Sequence, residues 1–191
     1  EYAKRNAASA QVDAAHRAFF ARVLQRAGPL DSVMEYGTNI GINLVALHEF
    51  LPNAEINGVE LHAGAAVQAR SNVPSATIYE SSILEFEPPG TYDLVLIKGV
   101  LIHINPAELA TVYELLHRST KRFVCIAEYY SPKPAQIEYH GQKDRLFKRD
   151  FAGEMLDRFS DLALIDYGFF YHRDAYARQD DLTWFLLEKR V

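Results

Sequence analysis

Residues 31–41, DSVMEYGTNIG, bring three local signals together. An apolar run at 32–36 predicts a short β-strand, and the apolar residues spaced along 40–51 predict a helix. Gly37 and Gly41 lie between these segments, where a tight turn needs a backbone without side-chain restriction. A strand that passes through a glycine turn into a helix is typical of the first βαβ unit of an α/β protein.

Beyond this turn, strand and helix patterns alternate along most of the chain. Alternation of this kind indicates a parallel sheet with right-handed crossovers. The last two strands have no helix between them, which predicts an antiparallel pair. We therefore expect an α/β fold with a Rossmann-like, seven-stranded, mostly parallel sheet and a terminal antiparallel hairpin. The predicted strands are 32–36, 55–60, 76–79, 92–97, 122–128, 162–171 and 181–188, and the predicted helices are 8–27, 40–51, 63–71, 106–119 and 148–159.

One segment breaks the alternation. Residues 131–144, SPKPAQIEYHGQKD, contain two prolines and a glycine and show no clear period, which predicts a loop or lid. We expect a single domain over residues 1–191, with a lid or substrate-binding insertion at about 129–150.

Composition excludes several classes of protein. Of the 191 residues, 49% are apolar and 24% are charged, as in an ordinary globular protein. The net charge of −5 argues against a nucleic-acid partner, since binding to phosphates needs a basic surface. No apolar run reaches membrane-spanning length and the amino end lacks a signal-peptide pattern, so no membrane partner is expected. The single cysteine, Cys125, suits a reducing compartment and predicts a cytoplasmic location. A first residue of Glu1 rather than Met is compatible with a domain of a larger chain.

The turn at 37–41 predicts a ligand site. Ligands of open α/β sheets bind beyond the carboxyl ends of the strands, and a glycine turn there lets backbone N–H groups approach closely. Glu60 lies 23 residues after Gly37, at the end of the next predicted strand, where a carboxylate receives ribose hydroxyls. A nucleoside ligand is implied. The NAD fingerprint GxGxxG would need glycine where this chain has Asn39 and Ile42, so NAD is disfavoured.

The same turn resembles the E/DxGxxxG motif of the Rossmann-like (class I) S-adenosylmethionine (SAM) methyltransferases. Glu35, Gly37 and Gly41 occupy the matching positions, and Asn39 stands where many members have a middle glycine. The resemblance implies SAM as the cofactor and S-adenosylhomocysteine (SAH) as its product. At the adenine position many members have Asp, which this chain lacks. The cofactor-binding residues that the resemblance implies are Glu35, Gly37, Asn39, Gly41, Glu60 on the ribose, Leu61, Ser82 or Ile83 on the adenine, Lys98 and Gly99.

Later motifs carry a narrower resemblance. LIKGVLIHINP at 96–106, AEYYSPKPAQIEYHGQKDRLFKRDFAG at 127–153 and DDLTWFLLEK at 180–189 are similar to segments of the methylase family associated with pseudaminic acid biosynthesis. That family implies a small, sugar-like acceptor. One departure is His140, where the family pattern leads us to expect Arg.

The opening segment EYAKRN resembles the amino end of the same family. It implies that Tyr2 and Arg5 fold over the cofactor, with Arg5 paired to the methionine carboxylate. A functionless terminus is the alternative that the sequence leaves open.

Three residues near the carboxyl ends of the middle strands are candidate catalytic groups: His103, Glu128 and Tyr129. A hydroxyl nucleophile needs a base within hydrogen-bond distance, whereas a neutral amine needs mainly orientation. For His103 the alternative is a helix-capping or core histidine. Either an oxygen or a nitrogen acceptor is compatible with this set.

The segment 140–150 carries a local charge of +2 on a protein of −5, which favours an anionic acceptor. Lys148 and Arg149 are placed at the start of a predicted helix, whose amino end also attracts anions. A solvated surface is the alternative reading of such a charge run. The predicted substrate-binding residues are Tyr130, His140, Lys148 and Arg149. No metal site is expected, because the other histidines lack metal-ligand spacing.

The sequence therefore predicts a SAM-dependent methyltransferase that transfers a methyl group to a hydroxyl or amino group of a small, anionic, sugar-like or sugar-nucleotide-like acceptor. Two alternatives stay open. One is a non-catalytic module with the methyltransferase fold inside a larger protein or assembly. The other is an NAD-dependent sugar oxidoreductase, which the missing third glycine and the lack of a clear Tyr-x-x-x-Lys pair oppose.

Overall fold

The computed structural model describes residues 10–139 and 142–190. The predicted site residues Tyr2, Arg5 and His140 lie outside the described residues. Among the described residues, no helix is long and apolar enough to cross a membrane. The helices are α1 (Ala10–Ala27), α2 (Ile42–Phe50), α3 (Ala63–Asn72), α4 (Leu109–Ser119) and α5 (Phe151–Arg158), with 3-10 turns at Leu101–His103 and Pro106–Glu108.

Seven strands form one sheet. They are β1 (Ser32–Tyr36), β2 (Glu55–Glu60), β3 (Thr77–Glu80), β4 (Tyr92–Lys98), β5 (Thr120–Glu128), β8 (Leu162–Phe170) and β9 (Leu182–Lys189). Their order in the sheet is β3-β2-β1-β4-β5-β9-β8. The strands β1 to β5 pair in parallel, and β9 is antiparallel to both of its neighbours. The predicted α/β fold, with its mostly parallel sheet and terminal antiparallel pair, is confirmed.

The sheet separates two apolar layers. On one face α1, α2 and α3 pack through residues such as Phe19, Leu44 and Ala66. On the other face α4 and α5 pack through residues such as Leu116 and Met155. β4 lies at the centre and is buried along its length except for Lys98, as expected for a parallel strand covered on both faces.

The predicted loop at 131–144 is wrong in part. Its residues contribute to a separate antiparallel pair formed by β6 (Ala135–Tyr139) and β7 (Gln142–Lys148). The two prolines, Pro132 and Pro134, precede β6, so neither removes a ladder donor from it.

The predicted helix at 148–159 starts later than expected. Lys148 ends β7, Arg149 forms an isolated bridge with Tyr130, and Asp150 is the N-cap of α5. The Asp150 carboxylate accepts a hydrogen bond from the backbone N–H of Gly153 at 2.8 Å. That capping bond fixes the first turn after Asp150, so the expectation that Lys148 and Arg149 form the anion-attracting amino end of a helix is wrong.

Candidate functional site

A cleft of about 1280 Å³ opens along the carboxyl ends of β1, β2 and β4. This is the edge at which open α/β sheets bind ligands. Ten of the predicted site residues line it. They are Gly37, Asn39, Glu60, Leu61, Ser82, Ile83, Lys98, Gly99, His103 and Tyr129.

The turn between β1 and α2 has positive φ angles at three residues, and each is of a type that adopts them. Gly37 and Gly41 have φ angles of 82° and 83°, in the left-handed region that glycine adopts without strain. A Cβ on Gly37 would overlap a methyl group of Val100, so the backbone there packs directly against the next loop. Asn39 also has a positive φ, 51°, which Asn tolerates better than most residues. Asn can therefore replace the middle glycine of the motif.

Glu60, at the end of β2, is tied to the loops on both sides of it. Its Oε2 accepts a hydrogen bond from the backbone N–H of Asn39 at 2.7 Å, and its Oε1 accepts one from the N–H of His62 at 2.7 Å. A carboxylate has about four lone-pair positions, so both oxygens can still accept a further hydrogen bond. Glu60 is thus a fixed acceptor on the cleft wall.

The loop after β3 forms the neighbouring wall. Ser82, Ile83 and Leu84 line the cleft here, and the exposed side chain of Leu61 lines it as well. The Ser82 hydroxyl accepts a hydrogen bond from the backbone N–H of Leu84 at 3.2 Å, which closes a tight local turn. The wall is largely apolar, as a flat aromatic ring would require.

Two ionisable groups lie behind the glycine turn. Glu35 is fully buried, and its Oε1 accepts a hydrogen bond from the Asn43 amide at 2.6 Å. Burial raises the pKa of Glu35 to about 8, and the nearby charge of Lys98 opposes that shift. Burial also lowers the pKa of Lys98, against the attraction of Glu35 and Glu128. Lys98 lines the cleft, whereas Glu35 lies beneath it.

The loop after β4 carries Gly99, Val100 and His103 along the cleft. His103 ends a 3-10 turn and is exposed, so it does not fit the alternative of a core histidine. Gly99 has a φ of 68° and follows the last residue of β4 directly.

Glu128 lies under this loop and not in the cleft wall. It is 3% exposed, and its Oε1 accepts hydrogen bonds from the backbone N–H groups of Val100 and Leu101, each at 2.8 Å. Burial raises the pKa of Glu128 to about 7, although these N–H groups and Lys98 lower it.

The predicted substrate residues do not all meet in one place. Tyr129 lines the cleft, and the ammonium group of Lys148 lies 5.1 Å from the centre of its ring. Tyr130 is 41% exposed and packs against Phe185, outside the residues that line the cleft. The Nε–H of Arg149 donates a hydrogen bond to Oε1 of Glu154 at 2.6 Å, within an ion pair.

Sequence reasoning missed one wall of the cleft. Arg178, Gln179 and Asp180 belong to the connection between β8 and β9, and His16 belongs to α1. The Gln179 amide donates a hydrogen bond to the carbonyl oxygen of Ala15 at 3.2 Å, which joins these two parts of the wall. They are distant in sequence, and only Asp180 falls in a segment that carries a family resemblance, so the tertiary structure is what brings them together.

The candidate metal ligands in the described part of the chain do not cluster. Within residues 10–139 and 142–190, no group of three or more His, Cys, Asp or Glu side chains is arranged to hold a metal ion.

No family model and no curated protein matches this sequence. Solved structures do match its fold. The 1,6-didemethyltoxoflavin-N1-methyltransferase of Burkholderia thailandensis, with its bound substrate and SAH, has a TM-score of 0.74 and 17% identity over 94% of this chain and 80% of that chain.

Two further structures have the same architecture. The glycopeptide N-methyltransferase MtfA in complex with SAH has a TM-score of 0.69 and 14% identity over 92% of this chain and 89% of that chain. A SAM-dependent methyltransferase of Clostridium acetobutylicum has a TM-score of 0.71 and 9% identity over 93% of this chain and 92% of that chain. These likenesses show that the chain has the class I SAM-dependent methyltransferase fold.

Proposed function

We propose that this chain is a SAM-dependent methyltransferase. The observation that carries the proposal is the position of the Glu60 carboxylate, fixed on the cleft wall by the backbone of the glycine turn. A carboxylate at the end of β2, beside a glycine turn at the end of β1, matches the geometry that receives the ribose and the adjoining part of a nucleoside ligand.

The residues of the cleft fit SAM. Gly37 lines the cleft without a side chain, and each oxygen of Glu60 retains accepting capacity for a ribose hydroxyl. The apolar wall at Ile83 and Leu84 suits an adenine ring. When bound, SAM would supply an electrophilic methyl group: an acceptor oxygen or nitrogen would bond to the methyl carbon while the carbon–sulfur bond breaks, and SAH would leave as the neutral thioether.

The chain itself then has to place the acceptor and exclude water. His103 and Tyr129 are the predicted catalytic groups that line the cleft, and both carry atoms able to form a hydrogen bond with an acceptor hydroxyl or amine. An imidazole can also take a proton from a hydroxyl near neutral pH. A positioned nucleophile needs little further help, because orientation alone supplies much of the rate.

We further propose that the acceptor is a small, anionic, sugar-like molecule. The ring of Tyr129 offers a flat surface in the cleft, and the cation of Lys148 lies over that ring. A ring for stacking beside a positive charge favours an acceptor that combines a sugar ring with a carboxylate or phosphate. The buried free thiol of Cys125 is compatible with the proposed cytoplasmic location.

The proposal is tested by methyl transfer from labelled SAM to a panel of sugars, sugar acids and sugar nucleotides. The panel is made of matched pairs, and each pair contains one anionic and one neutral acceptor. We expect product with an anionic member and a higher KM for it in Lys148→Gln than in the wild type. Binding of SAH without transfer to any member of the panel would favour the non-catalytic module. Transfer to neutral members alone would contradict the anionic acceptor and leave the methyltransferase standing.

A further inference from the structure

The Glu128 carboxylate accepts hydrogen bonds from the backbone at the start of a turn. One oxygen, Oε1, accepts hydrogen bonds from the consecutive N–H groups of Val100 and Leu101, each at 2.8 Å. These two residues begin the 3-10 turn Leu101–His103, whose first N–H groups have no partner within the turn itself. A side chain of β5 thus supplies the acceptor that the turn lacks.

That turn forms part of the cleft. Val100 lines the cleft and packs against the bare backbone of Gly37, and His103 lines the cleft at the other end of the turn. The carbonyl oxygen of Val100 accepts a hydrogen bond from the N–H of His103 at 2.9 Å. The position of His103 therefore depends on that of Val100. A second bond, from the N–H of Gly99 to the carbonyl oxygen of Ala127 at 2.9 Å, ties the turn to β5.

We propose that Glu128 is a positioning residue, which holds the turn at 99–104 so that Val100 and His103 form the wall of the SAM cleft. The inference rests on the proposed function, because it takes this cleft as the cofactor site. It replaces the expected role of Glu128 as a base.

The surroundings of Glu128 support positioning over proton transfer. A base must reach the acceptor, and Glu128 is 3% exposed and lies behind the residues that line the cleft. Its Oε1 is occupied by two backbone donors, and its Oε2 is buried with no hydrogen-bond partner among the described residues. Leaving those backbone donors unpaired would carry the cost of a buried, unsatisfied group.

Amide hydrogen exchange at Val100 and Leu101 tests the inference without any ligand. Glu128→Gln keeps a carbonyl oxygen that can accept both bonds, whereas Glu128→Leu removes the acceptor at similar volume. We expect these two amides to exchange at least about tenfold faster in Glu128→Leu, because loss of the hydrogen bonds makes local opening more frequent. In Glu128→Gln we expect exchange rates within about threefold of the wild type.

Thr120→Val is the matched control. Thr120 is buried at the other end of β5, and its hydroxyl donates a hydrogen bond to the carbonyl oxygen of Leu116 at 2.6 Å. The control removes a buried hydrogen bond from the same strand and should leave exchange at Val100 and Leu101 near the wild-type rate. A similar acceleration in the control would show that general loss of stability, and not Glu128, governs these amides, and would overturn the inference.

The affinity for SAH is the second measurement. We expect Glu128→Leu to bind SAH about tenfold more weakly or worse, and Glu128→Gln to restore binding to within about threefold of the wild type. Equal exchange rates at Val100 and Leu101 in all variants would overturn the inference. If Glu128→Leu does not fold, tenfold faster exchange in Glu128→Gln would overturn it. A wild type that binds no SAH would instead contradict the proposed function, while the exchange rates would still decide the role of Glu128.

Discussion

The Glu60 carboxylate accepts a hydrogen bond from the backbone N–H of Asn39, with 2.7 Å between Oε2 and the nitrogen. This bond joins the carboxyl end of β2 to the turn that follows β1, and the positive φ of Asn39 presents that N–H. The proposed ribose acceptor and the glycine turn are therefore held together by one contact. The proposed SAM site depends on this pair of residues.

Replacement of Glu60 by alanine should weaken SAH binding by more than about tenfold. Two hydroxyls would lose a charged acceptor, and each charge-assisted hydrogen bond contributes about 1.5–3 kcal/mol. Calorimetric titration measures the change, with Glu85→Ala as the control, since Glu85 is exposed and is not among the residues that line the cleft. An affinity equal to that of the wild type would mean that Glu60 does not hold the ribose.

Gly37→Ala should lower the free energy of unfolding by about 2–4 kcal/mol. The φ of 82° is strained for alanine, and the new Cβ would overlap Val100. Gly90→Ala is the control, because nothing lies within 4 Å of a Cβ there. Chemical denaturation should show partial recovery in the double variant Gly37→Ala/Val100→Ala, since the overlap is relieved and the strain stays. Strictly additive losses would contradict the contact.

Arg149→Ala should lower the Tm by about 2–4 °C. The guanidinium group is held by Glu154, and both side chains are mostly buried, at 25% and 29% exposed, so loss of the pair should cost about 1 kcal/mol. Arg158→Ala removes a more exposed pair with Glu114 and should change the Tm by less than about 1 °C. An unchanged Tm in Arg149→Ala would argue that Arg149 is available to bind the acceptor after all.

Relative to the wild type, Glu35→Gln should become more stable as pH rises from about 5 to 8. Burial raises the pKa of Glu35 from 4.5 to about 8, so between these values the folded state holds a proton that the unfolded state has released. The wild type therefore loses stability as pH rises through this window, by an amount on the order of a few kcal/mol. The Asn43 amide can still donate to the glutamine oxygen. Chemical denaturation of both proteins at about pH 5 and about pH 8 tests this. The same difference in the free energy of unfolding at the two pH values would contradict it.

The sheet could be predicted because a buried strand is visible in the sequence as a run of apolar residues. β4 is apolar from Leu94 to Ile97 and lies buried at the centre, and the strand and turn at 31–41 have the residues that their backbone requires. Gly37, Asn39 and Glu60 follow one another in consecutive βα units, so topology alone places them at one edge of the sheet.

The direction of a side chain at a strand end could not be predicted in the same way. Glu128 and Tyr129 are neighbours at the end of β5, yet Tyr129 lines the cleft and Glu128 bonds to the backbone beneath it. The charge of Arg149 was visible in the sequence, but its partner Glu154 was not. Arg178 and His16 meet in the cleft only through tertiary packing.

The most direct test of the cofactor site is calorimetric titration of the protein with SAH and, in parallel, with NAD. Binding of SAH in the micromolar range, with none of NAD, is the result that the Glu60 and Asn39 geometry predicts, on the order of 8 kcal/mol of binding free energy. Binding of NAD alone, or of neither ligand, would contradict the assignment of this cleft to SAM.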